Sequence, residues 1–323
     1  MRITLIGIGA MGCLFAGRLS PLADVVMLGR WPEQLAALRQ RGLILIQPDG
    51  RSTHYAVRAT DNPAEINPCD LALILVKSHQ TKRAASQAAQ LLTQNGLALT
   101  LQNGLGNLEK VAAAVGPARA ALGVTTQGAN VLSPGVVRHA GFGPVYLATQ
   151  PVTAARLVEV ARLFQAAGME TTLVERVDEL VWRKLAVNAG INPLTALLGV
   201  PNGFLVENET ARQLMIQAAQ EAAAVARAQG IALSDEEAAG QVLAVAQATA
   251  ANRSSMLQDV ARGAPTEIEP ISGAITRLGQ QYAIATPTNE LFGHRVKQLE
   301  TGAWRFGADP VANLQWLLSH QED

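Results

Sequence analysis

Cysteine is nearly absent from the chain. Cys13 and Cys69 are the two it has, too few for a disulfide framework and without the paired spacing of a zinc site. Such usage suits a reducing compartment. The five histidines, His54, His79, His139, His294 and His320, are scattered without ligand spacing, so no metal site is expected. Net charge is absent too: 26 basic residues balance 26 acidic ones, and sequence-independent nucleic-acid binding has no field to draw on. No stretch approaches the roughly 18 uninterrupted apolar residues of a membrane span. Met1 runs straight into an apolar strand with no cleavable leader, so the expected location is the cytoplasm. A hydrophobic content of 49% with 16% charged residues is that of a globular protein, and 323 residues exceed one comfortable core, which predicts two domains.

What is present begins at the first strand. Ile3 to Ile6 lead into Gly7, Gly9 and Gly12, a complete G-x-G-x-x-G, and a helix is expected from Met11 to Leu19. This is the dinucleotide-binding turn: the first glycine permits a tight turn, the second lets backbone approach a pyrophosphate, and the third lets the helix pack close to the sheet. The pyrophosphate then sits at the helix N-terminus. The next strand, Val25 to Leu28, ends at Arg30 where an NAD site would carry a carboxylate for the ribose 2′-hydroxyl. A guanidinium there suits a 2′-phosphate, and the expected cofactor is NADPH. The plainer reading of Arg30 is a solvated charge at a strand end.

Further strands are expected at Leu71 to Val76, Leu97 to Leu101, Ala121 to Val124 and Thr171 to Val174, alternating with helices. The pattern predicts a mainly parallel, doubly covered sheet, interrupted by two hairpin-like inserts at 43–59 and 131–147 around Asp49-Gly50 and Pro134-Gly135. Beyond about Val177 the strand signal stops. Ala- and Leu-rich helical stretches follow: Asp178 to Ile191, Thr210 to Ala228, Asp235 to Ala251, and Ile268 to Tyr282 with Pro270 near its start. The fold class expected is α/β, with an N-terminal Rossmann-type dinucleotide-binding domain over residues 1–175 and a C-terminal all-helical domain over residues 176–323. A cleft between two such domains is the default place for a substrate.

Lys184, Asn188 and Asn192 stand at i, i+4 and i+8 in an otherwise apolar helix, one polar stripe spanning roughly 12 Å at about 1.5 Å per residue. That length accommodates a four-carbon acid. Pro193 biases Asn192 away from helical geometry, so the third member is expected at the helix end. The stripe also reads as the wet face of an amphipathic helix, although two amides among so many apolar neighbours favour a polar pocket.

With these residues assembled, the chain resembles the 2-dehydropantoate 2-reductase (ketopantoate reductase) family over nearly its full length. The resemblance rests on Gly7 to Gly12, Val76-Lys77, Gln102-Asn103-Gly104, the run from Trp182 to Thr195, Pro201-Asn202-Gly203, the run from Ser254 to Asp259, and Thr266 to Glu269. It implies that Gly7, Gly9, Ala10, Met11 and Gly12 form the cofactor loop, with Arg30 and Lys77 near the cofactor phosphate and ribose and Asn103 on the nicotinamide side. It implies Lys184 as the general acid that protonates the substrate C2 oxygen and Glu267 as the group that orients the substrate. Asn188, Asn192, Asn202 and Ser255 match positions that bind the carboxylate and hydroxyl groups of the 2-oxo acid. The implied product is (R)-pantoate, on the route to pantothenate and coenzyme A, and a homodimer follows by analogy.

Chemistry gives the same residues a reason. Hydride addition to a ketone builds negative charge on oxygen, which a sheltered cation stabilises; burial lowers a lysine pKa and a nearby carboxylate raises it again. Plainer readings stand beside these. Glu267 could complement a helix N-terminus, Ser255 could be a helix-surface hydroxyl, Asn103-Gly104 a turn, Lys77 an ordinary strand-end charge, and Trp182 a packing anchor. Two functional alternatives remain open at this point: a reductase of another branched 2-oxo acid, and a non-catalytic NADPH sensor, which would need no lysine proton donor.

Overall fold

The computed structural model describes residues 1–319; His320 lies outside the described residues. The chain forms two compact units, one of residues 1–102 with 106–177, the other of Asn103–Leu105 with the chain from Asp178 onward.

In the first unit β1 (Arg2–Ile6) is followed by α1 (Ala10–Leu19), β2 (Asp24–Leu28), α2 (Pro32–Arg41), β3 (Leu43–Ile46), β4 (Ser52–Tyr55), β5 (Arg58–Thr60) and β6 (Cys69–Ile74). Then come α3 (Thr81–Leu91), β7 (Leu92–Thr100), α4 (Asn107–Val115), β8 (Ala120–Thr125), β9 (Gly128–Ser133), β10 (Val136–Gly141), β11 (Val145–Ala148), α5 (Ala154–Ala166) and β12 (Thr171–Val174). The main sheet has the order β12-β11-β8-β7-β6-β1-β2-β5. β1 lies inside it with Ile6 opposite Leu28 on one side and Ile74 on the other, all parallel. A strand covered on both faces reads as a continuous apolar run, and the side chains of β1 divide accordingly. Ile3 and Leu5 join Leu14, Phe15 and Phe164 from α1 and α5; Ile6 joins Ala84, Ala85 and Val111 from α3 and α4. Phe15 and Phe164 meet edge-on with centroids 5.5 Å apart.

All six expected strands are present, and two more join the sheet. β5 extends it beyond β2, and β11, inside the segment read as a hairpin insert, runs antiparallel to β8. Three- and four-residue strands carry too little periodicity to announce themselves. Both inserts do form hairpins, β3 with β4 and β9 with β10, but they also find each other. β3 pairs in parallel with β10, Ile44 opposite Val136, making a separate four-stranded sheet, β4-β3-β10-β9, against which Gly17 of α1 packs through Tyr55 and Leu45.

The second unit contains α6 (Asp178–Leu198), α7 (Phe204–Glu207), α8 (Glu209–Ala228), α9 (Asp235–Ala248), α10 (Ser255–Ala261), α11 (Ala274–Tyr282), α12 (Pro287–Thr301) and α13 (Pro310–Ser319), and no strand among the described residues. Its starts are chemically specified: the Asn208 side chain accepts from Ala211 N, and Ser234 with Glu237 forms a reciprocal capping box at α9. None of the described helices is long and apolar enough to cross a membrane.

Two expectations need correction here. α6 does not stop at Asn192 but passes through Pro193 to Leu198. Every residue from Ala189 to Leu198 is buried, and packing over that length outweighs the one backbone bond that proline removes. The stretch from Ile268 to Tyr282 is not one regular helix: Glu269–Gly273 is a wide π turn, with Gly273 N donating to Ile268 O, before α11 begins. Pro270 lies inside that turn and has no N–H for a regular ladder.

α6 lies closely against its neighbours because Gly190 faces α8. A Cβ there would sit 2.6 Å from Met215 O and 2.8 Å from Val242 Cγ2. Gly190→Ala should therefore cost about 1–3 kcal/mol by overpacking and visibly lower the melting temperature in a calorimetric scan. Gly240→Ala, where nothing lies within 4 Å, should leave the transition unchanged or slightly raised, since alanine is the better helix former.

Candidate active site

In the first unit, β1 delivers Gly7 with φ 127°, and a side chain there would strike the Leu75 carbonyl at 2.8 Å. At Gly12 a Cβ would lie 1.9 Å from Gly7 O, so the third glycine is what lets α1 close onto the turn. Gly9, by contrast, meets nothing within 4 Å. It caps α1 in an extended conformation with no side chain over the first turn, so the positive end of the helix and the N–H groups of Ala10, Met11 and Gly12 are uncovered by any side-chain cap. An open, side-chain-free cradle on a helix N-terminus is the donor set a pyrophosphate requires, and the residues present fit that group.

Arg30 is exposed just past β2. Lys77 follows β6, at the same carboxyl edge of the sheet where open α/β folds bind ligands. Its loop is clamped from behind. Gln102 Nε2 donates to Val76 O at 2.7 Å and to Thr81 Oγ1 at 2.9 Å, while Thr100 Oγ1 donates to Gln102 Oε1 at 2.9 Å. These supporting polar residues were missed from sequence, since Gln102 drew notice only as part of a motif and Thr81 and Thr100 belong to none.

In the second unit Lys184, Asn188 and Asn192 occupy successive turns of α6; the first two are half-buried and Asn192 is buried. Burial pushes the Lys184 ammonium down from its ordinary value to about 8, and the negative charge of Glu267 acts against that fall. Glu267 is only 6% exposed, which sets aside its reading as a surface charge at a helix start. Asn103 Nδ2 donates to Glu267 Oε2 at 3.3 Å, and Leu105 N to Pro270 O at 3.1 Å, so the Asn103 loop and the Glu267 segment are fastened together. Next to Glu267, Thr266 Oγ1 accepts from Ile268 N and the Thr266 N–H donates to Glu300 Oε1 at 2.6 Å.

Below Asn192, Thr195 Oγ1 lies 2.7 Å from Ser254 Oγ, which also accepts from Leu257 N and so caps α10. Ser255 is the exposed first residue of that helix, and its buried neighbour Ser254 makes the contact with α6. Asn202 is buried; its backbone N–H donates to Asn252 O at 3.0 Å and its Nδ2 to Thr249 Oγ1 at 2.8 Å. The structure thus brings Lys184, Glu267 and Asn103 together, and ties Asn202 to the segment leading into Ser254 and Ser255. Trp182, 3% exposed in the helical core, is the packing anchor expected of it.

A glycine turn on a parallel sheet, followed by a helical unit holding a desolvated lysine beside a carboxylate, is the build of a Rossmann-type oxidoreductase. Comparison with known proteins agrees. The ketopantoate reductase PanE/ApbA family model matches residues 3–151, and its C-terminal counterpart matches residues 176–300. The 2-dehydropantoate 2-reductase of Halobacterium salinarum is 38% identical over 289 residues, 89% of this chain and 95% of that protein. The corresponding enzyme of Archaeoglobus fulgidus is 36% identical over 306 residues, 93% of this chain and 98% of its own. Among solved structures, a PanE/ApbA family ketopantoate reductase from Ralstonia eutropha superposes with a TM-score of 0.85 at 31% identity, covering 94% of this chain and 99% of that one. A D-mandelate dehydrogenase solved with NADH and anilino(oxo)acetate superposes with a TM-score of 0.88 at 25% identity over the same shares. The chain belongs to the ketopantoate reductase family, and it is an oxidoreductase; the reading as a non-catalytic sensor falls away.

The Lys184–Glu267 coupling has a direct spectroscopic consequence. In Glu267→Gln the charge that opposes desolvation is gone, so the Lys184 ammonium should titrate below about 8. NMR of side-chain-labelled lysines across pH 6 to 11 reads this, and an unmoved titration would show that the carboxylate does not act on the ammonium.

Proposed function

We propose that this chain reduces 2-dehydropantoate to (R)-pantoate with NADPH, and that Lys184 is its proton donor. The observation that carries the reading is Lys184, partly buried on α6 under the charge of Glu267, a buried carboxylate held by Asn103. With its pyrophosphate held at the glycine turn, the dinucleotide would supply a hydride from its nicotinamide to the substrate C2. The chain's residues do the rest. As C2 becomes tetrahedral its oxygen gains negative charge, and an ammonium donor aimed at that oxygen both stabilises the charge and delivers the proton. Glu267 keeps the donor charged near neutral pH, and Asn103 holds the Glu267 carboxylate in place. Asn188, Asn192, Asn202 and Ser255 are assigned to the substrate's carboxylate and hydroxyl, and the neutral Lys184 left after transfer recovers its proton from water.

Arg30 and Lys77 are assigned to the phosphorylated ribose. An exposed guanidinium at the end of β2 favours a 2′-phosphate, whereas the D-mandelate dehydrogenase neighbour is a complex with NADH. Arg30→Ala should accordingly lower the ratio of kcat/KM with NADPH to that with NADH by tenfold or more, about 1.4 kcal/mol; an unchanged ratio rejects the cofactor choice. We place the enzyme in the cytoplasm, a setting that suits its two free, buried thiols.

The reaction is tested by following NADPH oxidation at 340 nm with 2-dehydropantoate. Lys184→Ala should lose about 10²–10⁴-fold in kcat while binding NADPH normally by fluorescence titration, and near-normal turnover in that variant removes the assigned role. The donor must be protonated to act. The kcat/KM for reduction should therefore be level on the acid side and fall as pH rises through about 8; a profile still level at pH 10 contradicts the assignment.

A further inference from the structure

α9 ends at Ala248, and the next residue, Thr249, has a hydroxyl with two neighbours. Its Oγ1 lies 2.6 Å from Val245 O and 2.8 Å from Asn202 Nδ2. A carbonyl can only accept, so the single hydroxyl proton goes to Val245. Oγ1 then has only lone pairs to offer Asn202, and the half of the amide that faces it is the NH2. A flipped amide would set oxygen against oxygen with no proton between them. The turn carrying Asn202 is held as well, because Asn202 N donates to Asn252 O at 3.0 Å and Gly203 N to Ala250 O at 2.9 Å. With the NH2 committed, the other end of the amide is determined: Asn202 Oδ1 is buried and meets no hydrogen-bond donor among the described residues. A buried acceptor of this kind is destabilising until a donor reaches it.

We propose that Thr249 is a positioning residue that fixes Asn202 as a hydrogen-bond acceptor, so that the substrate group Asn202 takes is a hydroxyl and not the carboxylate. The proposal rests on the reading that Asn202 lines the pocket for the 2-oxo acid. A carboxylate ionised at neutral pH has no proton to give and would oppose a carbonyl oxygen; an alcohol supplies the missing donor. Thr249 in this way turns an amide that could recognise either group into a selector for hydroxylated 2-oxo acids.

Two substrates isolate the effect. 2-Dehydropantoate and 3,3-dimethyl-2-oxobutanoate share their carboxylate, ketone and methyl groups and differ only in the C4 hydroxyl. The kcat/KM of each, with NADPH, is measured for the wild-type enzyme, Thr249→Val, which keeps the shape but loses the hydroxyl, and Thr249→Ser, which restores it. Thr249→Ala replaces the valine variant if the latter fails to fold by circular dichroism. The wild type should prefer the hydroxylated acid by at least about tenfold, one hydrogen bond's worth at 1.4 kcal/mol per decade. Thr249→Val should lose that preference through a raised KM for 2-dehydropantoate, with kcat on the deoxy acid within about twofold of wild type, and Thr249→Ser should keep it. A wild-type preference surviving in Thr249→Val overturns the proposal, as does an equal loss on both acids that serine does not rescue. A wild-type enzyme that turns over neither acid overturns the proposed reaction and the positioning role with it.

Discussion

A partly buried lysine under the charge of a buried carboxylate is the constraint on which the helical unit turns. Taking an ammonium out of solvent is costly unless a counter-charge and hydrogen-bonding groups come with it, and Lys184 is left with Glu267 opposing its neutralisation. Much of the surrounding architecture is what such an arrangement needs. α6 presents the lysine from a long, packed helix; Glu267 is set just before an irregular π turn; and three residues of an otherwise separate segment, Asn103–Leu105, are fastened to that turn by side-chain and backbone bonds. Wide helical turns of this kind are frequent at functional sites because they re-aim side chains that a regular ladder would point elsewhere.

The first unit answers a different demand, which is to present bare backbone to an anion. Its solution is steric: Gly7 and Gly12 are crowded against other backbone, and Gly9 between them is open. The same three letters in a motif thus do opposite things, two closing the turn and one leaving it accessible. Behind the Val76–Lys77 loop a small polar cluster centred on Gln102 performs the quieter service of keeping a loop at a sheet edge from wandering.

Much of this was legible in the sequence. The glycine turn, the six main strands and the switch to helices near residue 177 all follow from local patterns, because each depends on residues close together in the chain. The polar stripe on α6 was legible for the same reason, but its end was misjudged at Pro193, where burial on every side overrides a local preference that the sequence states clearly. The π turn around Pro270 was likewise hidden inside a helical composition. Thr249 had no signal at all: its hydroxyl donates to Val245 O and accepts from an amide 47 residues away, and no periodicity encodes that. The reading of Glu267 as a surface charge is set aside only by its burial, which the sequence does not state.

The pairing of β3 with β10 carries a consequence for how the protein is made. Ile44 cannot meet Val136 until more than ninety further residues have left the ribosome, and loop closure over such a distance is slow compared with local hairpin formation. The helix that follows the glycine turn leans on the sheet this pairing completes. A nascent chain that already displays the whole G-x-G-x-x-G therefore still lacks the second sheet against which α1 packs, and that sheet closes only once β10 has emerged.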